Sequence, residues 1–72
     1  MKYYIAYPAP IKRMLETINS TLNVEAKVEE ANNQVCSFES DKSFSELEIE
    51  VDNIGDDLWL LLNKEEQDEW LN

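Results

Sequence analysis

The chain has 72 residues and a formal net charge of −10, which bounds it to one domain, residues 1–72, built on one small core. A domain of this size buries only about 60% of the surface its unfolded chain exposes, leaving little room for a deep catalytic pocket. With 43% hydrophobic residues, one Gly and two Pro, the composition is still that of a folding chain.

Cys36 is the single cysteine and histidine is absent, so an internal disulfide and the common zinc ligand sets are excluded. The longest apolar run is Leu58 to Leu62, far short of the roughly 18 residues a membrane span needs. No charged-then-apolar targeting segment is visible. These features predict a small soluble protein of a reducing compartment, the cytoplasm of a bacterial host cell. Direct binding to nucleic acid or to an anionic membrane is disfavoured, since so acidic a chain repels phosphate.

In chain order, the aromatic and β-branched stretch 2–7 reads as a strand ended by Pro8. Pro10 suits a first helical position. Ile11, Met14, Leu15, Ile18 and Leu22 then recur at helical period, predicting a helix over 10–22. Val24, Ala26 and Val28 alternate with charged residues and favour a strand over an extension of that helix. Asn32-Asn33 is placed for a hairpin turn, with residues 34–39 as the return strand. Residues 46–52 alternate polar and apolar without a break, which predicts a half-buried strand with Leu47, Ile49 and Val51 inside and every acid outside. Residues 53–56 read as a turn and 58–62 as a buried strand. Asn63 can cap a short last helix, with Glu66 closing a capping box. A single helix over 56–71 is the competing reading. The expected fold is α+β: a small antiparallel sheet of four or five strands packed on the helix at 10–22, with a short C-terminal helix.

The charge is uneven. Residues 1–24 hold three basic residues against Glu16, net +2, whereas 25–72 hold three lysines against fifteen acids, net −12. Glu46, Glu48, Glu50 and Asp52 would line one strand face about 6.7 Å apart. Each adjacent pair there repels by about 0.6 kcal/mol in water before salt screening. A second group, Glu65, Glu66, Asp68 and Glu69, falls on the last helix. Its first two members suit the helix dipole, and the like-charge pairs 65–69 and 66–69 do not. Asp56 and Asp57 lie between the two groups. A charged strand face also serves to block edge-to-edge aggregation, but ladder, acid pair and helix together exceed that need.

Residues 52–57 are a poor calcium loop, because Ile54 stands where a ligand oxygen is needed. No metal site and no cofactor are expected. Without His, and with a single Gly, neither an obvious general base nor a phosphate-cradling loop is available. No catalytic residue is assigned, and the chain is read as not an enzyme. Cys36, in an alternating strand, reads as an inert core residue.

A compact scaffold displaying Glu46, Glu48, Glu50, Asp52, Asp56, Asp57, Glu65, Glu66, Asp68 and Glu69 resembles the DNA-mimic proteins of phages and mobile elements. The resemblance is to a physical class. It implies a partner that is a basic DNA-binding protein, such as an HU-type nucleoid protein, a restriction or CRISPR effector or a polymerase, whose nucleic-acid site the acids occupy. One DNA strand presents a charge per about 3.4 Å, so a single strand row is too sparse, and the last helix or a second subunit must add to it. The alternative is an acidic adaptor or antitoxin-like subunit that binds a basic protein without imitating DNA. The two-sided apolar run 58–62 and the small core further suggest a homodimer.

Overall fold

A computed structural model describes residues 1–53 and 58–72. In chain order it has β1 (Lys2–Ala6), a 3-10 turn (Ile11–Met14) running into α1 (Leu15–Leu22), β2 (Lys27–Glu29), β3 (Asn32–Glu39), α2 (Phe44–Asn53), β4 (Leu60–Leu61) and α3 (Lys64–Leu71). The strands form one antiparallel sheet in the order β2-β3-β1-β4. The α+β architecture and the strand count follow the reading of the sequence. The set of strands does not, because 46–52 is helical.

Side chains alternate across the sheet and split the interior in two. Tyr3, Ile5, Cys36 and Phe38 point to one face, where Ile11, Ile18 and Leu22 of the first helical segment meet Leu47 and Val51 of α2. Ala6 and Val35 point the other way and pack with Leu62 beneath Tyr4, Trp70 and Leu71. Helix α3 therefore covers the second face from within the chain.

The helix at 10–22 starts as a 3-10 turn after Pro10 and ends at Asn23, whose φ of 55° is left-handed. Asn tolerates that conformation better than most residues and terminates helices with it. Asn19 completes the stop: its backbone carbonyl accepts from Val24 at 3.2 Å and its side-chain oxygen from Ala26 at 2.8 Å.

The hairpin turn lies at residues 30–31, two positions before the expected Asn32-Asn33. The reason is the Asn32 side chain. Its oxygen accepts from the Gln34 N–H at 2.9 Å, folding the chain into the irregularity that shifts the register after Val28. Its amide donates to the Trp70 carbonyl at 2.9 Å and fastens the hairpin to α3.

Candidate functional site

Strict alternation over residues 46–52 predicts a strand, and the structure corrects it to helix α2. Two local terms outweigh the period. Ser43 stands just before the helix, and its hydroxyl accepts the Glu46 N–H at 3.3 Å while its carbonyl accepts from Leu47 at 3.1 Å. Ser43-x-x-Glu46 is a capping-box sequence that the alternation masks. Glutamate, in addition, favours helices and is depleted in strands. Phe44, Leu47 and Val51 recur at helical spacing and face the core. Ile49, expected inside, is 62% exposed.

The helix redraws the acid row. At about 100° and 1.5 Å per residue, the pairs Glu46–Glu50 and Glu48–Asp52 run along two flanks of α2, with Ile49 between them. Successive acids advance by about 3 Å along the axis instead of about 6.7 Å. Glu46, Glu48 and Asp52 are exposed, while Glu50 is half-buried and paired with Lys42. Both flanks place like charges at i,i+4, costing about 0.2–0.5 kcal/mol each before the Lys42 pairing. Asp52 also sits in the last turn, against the negative end of the helix dipole.

On α3 the expected capping box forms: the Asn63 side chain accepts from Glu66 N–H at 2.9 Å, and the Glu66 carboxylate accepts from Asn63 N–H at 3.0 Å. Glu66 thus serves as a cap. Glu65, Asp68 and Glu69 are exposed, and Asp68 and Glu69 approach the C-terminal end, where no basic residue offsets them. Asp56 and Asp57 lie outside the described residues, as do Ile54 and Gly55.

The two acidic helices sit on opposite faces of the sheet, since α2 packs with Ile18 and Leu22 while α3 packs on Ala6, Val35 and Leu62. The expected ladder and terminal helix are therefore two surfaces and not one continuous double row. The part of the α3 side not covered by the helix carries mixed charge. There Lys2 lies 4.0 Å from Glu29 and 5.5 Å from the Tyr4 ring centroid. An open concavity of about 790 Å³ is lined by Lys2, Glu25, Lys27, Ser37 and Glu39 among others. Both signs alternate around it, so it selects neither an anion nor a cation.

Among the described residues no three acid or thiol side chains come together to hold a metal ion, and no helix is long and apolar enough to cross a membrane. Cys36 is fully buried. Burial pushes its thiol up from 9.0 to about 11, with Glu29 adding to the rise, which removes the thiolate a nucleophile needs. Comparison with protein-family models, curated proteins and solved structures finds no match to this chain. The described residues offer two acid-lined helices.

Proposed function

We propose that this protein inhibits a basic DNA-binding protein by occupying its nucleic-acid site, with the outward side of α2 as the leading contact. One observation carries the reading. Glu46, Glu48 and Asp52 stand exposed on one short helix, and Lys42, the one lysine bonded to that helix among the described residues, is taken by Glu50. Asp52 at the helix C-terminus and the i,i+4 acid pairs cost stability that folding alone does not ask for. The three outward acids advance by about 3 Å and then about 6 Å along the helix axis, a sparser array than the charge per about 3.4 Å of one DNA strand. Helix α3, on the far side, adds to the overall field that steers a cationic partner inward.

The test has two stages. A pull-down from bacterial lysate, with and without nuclease, identifies what binds. Fluorescence anisotropy of labelled DNA on that partner then reads displacement. The expected outcome is release of the DNA, weakening as salt rises. A partner that holds its DNA at full affinity while bound defeats the reading.

Ile49 favours a second reading, an acidic adaptor that binds a basic protein without excluding DNA. Exposed apolar side chains at the centre of a polar surface act as anchors in protein–protein contacts, and a row of phosphates has no counterpart to one. A ternary complex of partner, DNA and this protein identifies that case.

A further inference from the structure

We infer that α2 is an acid-operated switch: with its carboxylates protonated, residues 46–51 leave the helix and stack, copy on copy, as extended strands. Pattern and structure disagree over this segment. Glu46 to Asp52 alternates polar and apolar without a break, yet Phe44–Asn53 is helical and leaves Ile49 62% exposed. In extended backbone Leu47, Ile49 and Val51 share one face. A strand therefore hides an apolar side chain that the helix gives to water. Residues 43–53 also contain no Pro, Gly, Lys or Arg, the composition of a stacking core once the acids are neutral.

The ionised carboxylates hold the segment in the helix. An in-register stack sets each side chain about 4.8 Å from its own copy above and below. Charged, Glu46, Glu48, Glu50 and Asp52 repel at every step of such a stack. In one helix they meet only as the pairs 46–50 and 48–52. Protonation removes the penalty on the stack outright. Inside the helix its effects offset. The repulsive pairs vanish, and so do the Lys42–Glu50 ion pair and the favourable charge of Glu46 in the first turn. Few charged neighbours alter this balance. Of the helices and strands packed against α2, β4 carries no ionisable side chain and α1 only Glu16. The loop before the helix supplies Asp41 and Lys42, and the Tyr3 hydroxyl reaches that loop from the sheet. All six basic residues lie outside 43–53, so acid leaves the segment uncharged. This inference stands apart from the proposed function, and its test needs no other protein.

The full chain is held at pH 7 and at about pH 2.5, below the ordinary carboxylate range. Both samples contain about 0.15 M NaCl, which screens the cationic remainder of the acidified chain. Thioflavin T fluorescence and sedimentation should report assembly at the lower pH alone. Pepsin digestion of the assemblies should leave a protected core that includes residues 46–51. Ile49→Lys substitutes a side chain exposed in the native helix, and should slow assembly by at least about tenfold. Ile49→Val should retain it. Should Ile49→Lys lose its near-ultraviolet circular dichroism at pH 7, Ile49→Gln takes its place, with the same direction expected. Glu46→Gln, Glu48→Gln and Glu50→Gln combined should move the onset of assembly toward neutral pH. A chain that stays a single 8.4 kDa species at about pH 2.5 overturns the proposal. So do assemblies whose protected core excludes residues 46–51, an Ile49→Lys variant that assembles like the parent, or an onset that the glutamine variant leaves unmoved.

Discussion

Lys42 reaches forward eight residues and donates its ammonium to Oε1 of Glu50. The backbone of the same lysine is held at both ends, its N–H by the Ser40 hydroxyl at 3.1 Å and its carbonyl by the Tyr3 hydroxyl at 2.6 Å. The loop before α2 is thus fixed to the sheet through Tyr3 and to the helix through Glu50. The four acids of this segment divide into a structural member, Glu50, and three outward ones.

That division is testable. The triple variant Glu46→Gln, Glu48→Gln, Asp52→Asn should be as stable as the parent, or more stable by up to about 1 kcal/mol, because like-charge pairs and a dipole clash are removed. Stopped-flow association with the captured partner should slow, with a smaller change in dissociation. Glu50→Gln should do the reverse, lowering stability by up to about 1 kcal/mol, as for a partly exposed pair, and sparing the association rate. Equal effects from the two variants would dissolve the distinction.

Asn63→Ala removes the cap of α3 and should cost about 0.5–2 kcal/mol. For a domain of this size each kcal/mol lowers the melting temperature by about 4–8 °C. Because α3 shields Val35 and Leu62, hydrogen exchange at those two positions should quicken before exchange at Ile5 and Cys36. Uniform acceleration would mean that α3 opens only with the whole fold.

Asn19→Ala leaves the N–H of buried Ala26 without its acceptor, which should cost about 1–3 kcal/mol in urea denaturation. Asn23→Gly should be neutral or slightly stabilising, since glycine adopts the left-handed conformation freely. Asn23→Val should destabilise, its branched side chain being poorly suited to positive φ.

Cys36 supplies a pH dependence. Its folded value of about 11 lies above the ordinary 9.0, so the native state holds its proton longer than the unfolded chain does. Stability is therefore unaffected below pH 9 and falls as pH rises from 9 to 11, by about 3 kcal/mol in all. Denaturation of wild type and Cys36→Ala across this range checks it, the variant lacking the slope. A native thiol that reacts with Ellman's reagent at pH 8 as fast as free cysteine would contradict the burial.

The elements legible in the sequence were those in which period and punctuation agree. The stripe from Ile11 to Leu22, the strand ended by Pro8 and the Asn63/Glu66 cap all appear where residue type and spacing predict. Residues 46–52 are ambiguous in the sequence because Glu-Leu-Glu-Ile-Glu-Val fits a two-residue repeat and a helix alike. Leu47 and Val51 are four apart and share a helical face, while Ile49 falls opposite. Ser43, outside the alternating run, held the deciding signal. The acids were legible as a charge excess, but their grouping was not. Which face of the sheet each helix covers is a tertiary fact, set by where Ala6, Val35 and Leu62 point.

The strand order β2-β3-β1-β4 sets when this sheet can exist. Its two inner strands are β1 and β3, and β1 takes its first neighbour from residues 35–39 and its second from residues 60–61. During synthesis β1 therefore waits, apolar and unpaired, until the chain has grown by more than half. The β2–β3 hairpin and α1 are the only parts that can form from local contacts beforehand. Closing loops of that span before any pairing compensates for their entropy makes folding slow for so short a chain. It also leaves Tyr3-Tyr4-Ile5 as the segment most in need of protection on the ribosome, with the acids that follow keeping nascent chains apart.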